Sequence, residues 1–195
     1  MMEPIEHDFS EVASLRLNSA QLAYERMLSN NSELREYEIS WFDFLTASQS
    51  FFNVFNKASN LYPKVKEVYE PYRSFRNAKG EVLQYLHQAR HSEEHLISRS
   101  SAPESSLRFN VLVAKGKELE RIRMERQEMA ALVKDIPINR FRVQAVVNYG
   151  VTYQLPSAHL GKSIGFDHPN HLAYLAYSTM REILAVSNDS FMGKR

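Results

Sequence analysis

Cysteine is absent from the 195 residues, which removes disulfides, a thiolate nucleophile and every cysteine-based zinc or iron–sulfur site. The same absence fits an intracellular address. No stretch approaches the roughly 20 apolar residues that a membrane helix needs. The acidic opening, residues 1–8, lacks the apolar core of a signal peptide, so a soluble, cytoplasmic chain with no membrane partner is expected. A phosphate-binding glycine loop and a Gly-x-Ser-x-Gly elbow are also missing, which leaves nucleotide hydrolysis and serine-esterase chemistry without support. Net charge is small, at +1. That excludes a strongly basic nucleic-acid wrapper but leaves room for a local basic cleft.

What is present is ordinary globular composition, 44% hydrophobic and 24% charged, and the length suits a single domain spanning residues 1–195. Ser10 reads as the N-cap of a first helix running to about Leu28, with Val12, Leu15, Ala20, Leu22, Ala23 and Met27 as its apolar face. A break follows at 29–32. The second helix carries the strongest pattern. Trp41, Phe44, Leu45, Phe51, Phe52, Phe55, Ala58 and Tyr62 recur at the helical period, the mark of a stripe packed in a core rather than a stacking platform for bases.

Pro63 and Pro71 predict a turn-rich or kinked piece from 63 to about 73. A third long helix then carries Phe75, Val82, Leu83, Leu86 and Ala89, with Gly80 as its weak point. Residues 98–106 read as a polar linker. Beyond it, the alternation at Phe109, Val111 and Val113 suggests a strand, returning through Ile122 and Met124, although the same stretch also fits a helix. Its basic run, Lys115, Lys117, Arg121, Arg123 and Arg126, is interleaved with glutamates and reads as a solvated face. Residues 141–147 predict a better strand, with a turn at Asn148-Tyr149-Gly150 before a partner at 151–155. A closing helix covers about 170–186, with Pro169 at or just before its first turn. The expected class is α+β, mostly α: an antiparallel helical bundle over 10–97, a small antiparallel β-rich insertion over 107–165, and a helix that packs back.

The candidate chemistry sits at Arg90-His91-Ser92-Glu93-Glu94-His95. A guanidinium stays charged and matches phosphate oxygens two at a time, and an imidazole exchanges protons near neutral pH. RNA cleavage without a metal needs a base for the 2′-hydroxyl, a cation for the phosphorane and an acid for the leaving oxygen. The spacing, Arg, a polar residue, three further residues and His, resembles the signature of the HEPN superfamily, all-helical proteins many of which are ribonucleases. That resemblance implies a bundle over roughly residues 10–97, Arg90 stabilising the phosphate, His95 as acid or base, and His91 orienting or contacting phosphate. It also implies a homodimer whose two motifs line one cleft, since five helical residues turn through about 140° and separate Arg90 from His95. Glu93 and Glu94 would support His95, or be solvated helix charges. RNA as substrate or ligand, a role as a toxin or defence component with a cognate antitoxin protein, and no cofactor or metal complete the expectation.

Two alternatives stand beside it. A non-enzymatic helical module would bind a protein or nucleic acid through the β-rich part. His91-Ser92-Glu93-Glu94-His95 also satisfies His-x-x-Glu-His, an inverted zinc-protease motif. His87 extends that stripe but lies about 12 Å along the axis from His95, and a third ligand would have to be Glu118, Glu120 or His159. Farther on, His159 and Lys162 in the 155–162 stretch form a loop able to contact phosphate or to pack on the bundle. Asp167, His168 and His171 read as the cap of the last helix.

Overall fold

Trp41, Phe44, Leu45, Phe51, Phe52, Phe55 and Ala58 are all buried, and the stripe they form is the spine on which the other helices pack. The computed structural model describes residues 4–29, 34–95, 101–103, 141–165 and 168–192, with side chains for 9–29, 35–92, 142–165 and 168–190. Within these the chain is mostly helical: α1 (Pro4–Ser29), α2 (Leu34–Leu61), α3 (Pro63–Asn77), α4 (Val82–His95) and α5 (Pro169–Met192). No described helix is long and apolar enough to cross a membrane.

α1 begins at Pro4 and not at Ser10. Proline suits a first turn, where its missing N–H costs nothing. Ser10 is inside the helix, and its Oγ donates to Asn188 Oδ1 of α5 at 2.7 Å. Ala13, Ala20 and Met27 recur every seven residues and are fully buried, and their small or pliable side chains let α1 lie close along α2. Phe55 is the junction of three helices. Its ring meets Phe51 at 4.9 Å, Tyr69 of α3 at 5.8 Å and Phe9 of α1 at 5.9 Å.

The stretch expected to be turn-rich is helix α3. Tyr62 is its extended N-cap and Pro63 its first residue, so the proline starts the helix instead of breaking it. Pro71 lies inside α3, exposed, with its ring on the solvent side and Val65 and Tyr69 supplying the buried face. The third long helix is in fact two. Gly80 at φ +84° divides α3 from α4, because only glycine adopts that backbone cheaply.

The strands are short and antiparallel. β1 (Ser101–Pro103) pairs with β2 (Phe141–Val143), β3 (Val146–Asn148) with β4 (Val151–Tyr153), and β5 (Ala158–His159) with β6 (Lys162–Ser163). β1 falls in what reads as linker, and 141–147 is split between two pairs. The strands expected at 109–124 lie outside the described residues. The turn at Tyr149-Gly150 is as expected, with both residues at positive φ (50° and 78°), the mirror-image turn that matches strand twist. Leu160-Gly161 closes β5–β6 in the same way, with φ of 49° and 76°, so the anticipated loop is a hairpin. The β3–β4 pair docks on α4. Tyr85 Oη donates to the Gln144 carbonyl at 2.7 Å, and Asn148 Nδ2 donates to the Gln88 carbonyl at 2.7 Å.

α5 starts at Pro169, capped by His168, whose Nδ1 accepts the Asn170 N–H at 3.1 Å. It buries Leu172, Ala173, Ala176, Met180 and Ile183 against the bundle. Asp167 lies outside the described residues.

Candidate functional site

The start of α4 is fixed before its chemistry is presented. The Gly80 carbonyl accepts the N–H groups of Ser157 and Ala158 at 2.9 and 3.1 Å. Glu81, only 5% exposed, is the N-cap, and its Oε1 accepts the Gly161 N–H at 2.9 Å. A carboxylate suits the positive end of a helix. The β5–β6 hairpin is thereby fastened to α4, and α4 is held in register against α2.

Six residues on, the exposed side of α4 meets α2 and the end of α3. His87 and His91 are one turn apart, and their rings stand edge to face at 4.7 Å and 88°. Gln49 of α2 faces them. Its Oε1 lies 2.7 Å from His87 Nδ1 and 2.7 Å from Arg76 Nη2 of α3. Arginine can only donate, so Gln49 Oε1 accepts from both groups. His87 is then protonated on Nδ1, and the 3.2 Å approach of Arg76 Nη2 to that atom is a contact and not a bond. The lone pair is left on Nε2. Burial first, then the neighbouring Arg76 and His91, lower the His87 pKa from 6.5 to about 4, so the ring is neutral at pH 7.

Both arginines lie on aromatic faces of α2. Arg76 is 5.4 Å from the Phe52 ring centroid and Arg90 is 5.3 Å from that of Phe42, within the range of cation–π attraction. Phe42 and Gln49 are seven residues apart and Gln49 and Phe52 three, so all three occupy one face of α2. Along that helix Asp43 is bonded at 2.8 Å to Arg26 of α1, and Glu38, one turn before Phe42, stands on the same face as the seam. Among the described residues no carboxylate oxygen comes within 4.0 Å of Arg76. The result is a seam along α2 and α4 carrying Arg76, His87, His91 and Arg90.

The sequence motif maps onto this seam in part. Arg90 and His91 are half-buried in it. Glu93, Glu94 and His95 continue the α4 backbone, and their side chains lie outside the described residues. His159 sits elsewhere, on β5. Thr179 Oγ1 donates to the Leu175 carbonyl at 3.0 Å and lies 2.9 Å from His159 Nε2, so His159 donates through Nε2. Burial and nearby His171 lower its pKa to about 4 against the opposing Glu182. Lys162, its cross-strand partner, is exposed. Among the described residues no group of three or more His, Asp or Glu side chains is placed to hold a metal ion.

Arg76 and Gln49 carry no periodic or spacing signal in the sequence. Their meeting with His87 is tertiary, across 11 and 38 positions. The i−4 relation of His87 to His91 is the only trace of the cluster in the sequence. Comparison with family models, curated proteins and solved structures finds no match in any of the three.

Proposed function

We propose that this chain is a HEPN-type helical bundle that engages the phosphate backbone of RNA through the α2–α4 seam. In this reading two copies, paired about a two-fold axis, cleave the strand without a metal, as a toxin or defence component held in check by a cognate antitoxin protein. The observation that carries the reading is the seam itself. The arginine of the Arg90…His95 motif lies on an aromatic ring, in line with a second arginine and two imidazoles. A guanidinium's planar fork matches phosphate oxygens two at a time. Arg90 would stabilise the phosphate charge, His95 would exchange the proton, and His91 would orient the substrate. Glu93 and Glu94 precede His95 in the sequence and would tune it.

The test is RNA cleavage by the purified chain. Wild type should cut in excess chelator, with a rate maximum near neutral pH. Arg90→Ala and His95→Ala should each lose about two or more powers of ten. Wild type that cuts no faster than His95→Ala would end the nuclease reading. The His-x-x-Glu-His hydrolase reading predicts the reverse with chelator, namely complete loss.

A second reading, a non-enzymatic interaction module, is favoured by one feature. The β3–β4 hairpin holds out Tyr149, 89% exposed, with Val147 and Val151 about half exposed. Apolar side chains grouped this way commonly mark a binding surface. Tyr149→Ser should leave stability within about 0.5 kcal/mol while abolishing capture of a partner. RNA binding that ignores this change would favour the seam.

A further inference from the structure

Arg76 is a half-buried cation whose partners are an amide, an imidazole edge and an aromatic face. Its charge also acts on the hydroxyl of buried Tyr69. A cation withdrawn from water without a countercharge is costly, and among the described residues its immediate surroundings supply none. Gln49 Oε1 takes one of its five N–H donors and fixes the plane of the fork, so the others are oriented before any ligand arrives. From Phe42 to Phe52, ten residues of α2 span about 15 Å. One phosphate group is far smaller than that span, so Arg76 and Arg90 at the two ends of the seam are too far apart to serve the same one.

We infer that Arg76, held by Gln49 and backed by His87, is a second phosphate subsite, which takes a phosphodiester of the same RNA strand upstream or downstream of the one at Arg90. This rests on the reading of the seam as an RNA site and adds what the Arg90…His95 motif does not contain: a site that grips the strand away from the scissile bond. Arg76 is the ligand-contacting residue. Gln49 is a positioning residue, which aims the guanidinium and sets the His87 tautomer. An anion docked on Arg76 also offsets the positive field on His87, so phosphate binding should be accompanied by proton uptake on its Nε2.

The test uses the full chain, a fluorescent single-stranded oligoribonucleotide and a salt series, with Arg76→Met, Gln49→Glu and Arg90→Met as variants. Gln49→Glu is the decisive one, because it gives Arg76 an internal carboxylate without removing any packing. It should keep or raise the melting temperature while weakening RNA binding about ten-fold. Arg76→Met, which keeps the stem on Phe52, should weaken binding similarly. Each should reduce the slope of log K against log salt by about 0.7, the amount for one phosphate contact on a single strand. The His87 ring resonances should titrate at higher pH in the presence of the oligonucleotide, and in Gln49→Glu this response should be lost.

If Gln49→Glu and Arg76→Met bind like wild type with an unchanged slope while Arg90→Met is weakened, the subsite is wrong and the RNA reading stands. If wild type binds no oligonucleotide, both fall. If inorganic phosphate moves His87 and the oligonucleotide does not, the site takes a free anion, and its assignment to the RNA strand is overturned.

Discussion

His87 Nδ1 lies 2.7 Å from Gln49 Oε1, and this one bond decides which imidazole nitrogen keeps its lone pair. The donor sits on α4 and the acceptor on α2, so the tautomer is set by how the two helices pack. A ring held this way is neutral and directional at pH 7.

Neutral burial of His87 and His159 gives a pH dependence of stability. Both are held near pH 4 in the folded chain against an ordinary value of 6.5. Between those values the unfolded chain binds more protons, so stability is full above about pH 6.5 and falls as pH drops toward 4. The loss by pH 5 should be on the order of 1 kcal/mol per ring, with solvent screening of these part-exposed groups taken into account. Urea midpoints at pH 7 and pH 5 measure it. Equal midpoints would mean the rings are not held neutral.

The junction before α4 should be sensitive to small changes. Gly80→Ala places a Cβ at a φ of +84° and 3.3 Å from Ser157 Oγ, and should cost about 1–2 kcal/mol. Glu81→Ala removes the acceptor of the Gly161 N–H, with a loss of about 1–2 kcal/mol. Glu81→Gln keeps that acceptor, and its second side-chain oxygen, Oε2, is buried with no hydrogen-bond partner among the described residues. It should therefore stay within about 0.5 kcal/mol of wild type. Chemical denaturation of the three variants would rank them, and equal losses for Ala and Gln would refute the contribution of the Gly161–Glu81 bond.

Phe55 joins α1, α2 and α3, so truncating it opens a cavity that none of the three can close alone. Phe55→Ala should cost about 3–5 kcal/mol, which lowers the melting temperature by roughly 10 °C in a chain of this size. Arg90→Met, by contrast, keeps an unbranched stem on the Phe42 ring and should cost less, about 1–2 kcal/mol. Calorimetry on both variants tests whether the seam is peripheral to the core.

A composite site makes a prediction about mixtures. Arg90→Ala and His95→Ala are each expected to be inactive. After subunit exchange, a dimer of one of each retains one intact Arg90 and one intact His95. Mixing should restore part of the cleavage rate if one cleft draws on both chains. No recovery in a proven heterodimer would leave each copy working alone.

The helices were legible in the sequence where a buried stripe repeats. Trp41, Phe44, Phe51, Phe52 and Phe55 announce α2 because burial on one face enforces the period. Proline misled at Pro63, where the residue that breaks a helix interior is also the residue that starts one, and position alone separates the two cases. At Gly80 the weak point in a predicted helix is its end, since the competing hairpin supplies the hydrogen bonds that a continuous helix would have used. The motif was visible as spacing along α4. Gln49 and Arg76 were not, because nothing local distinguishes a glutamine on an amphipathic helix from one that will hold an imidazole.

The three hydrogen bonds from Ser157, Ala158 and Gly161 to Gly80 and Glu81 also bear on how the molecule breathes. Protection from amide exchange is shared among groups that must open together. The hairpin cannot lift off without stripping the Gly80 carbonyl and the Glu81 carboxylate of their donors, and residues 80–81 cannot unwind from the head of α4 without releasing the hairpin. The amides of 157–164 and those at the head of α4 should therefore exchange at one common rate, and His87, less than two turns further along, is the first part of the seam to feel each opening.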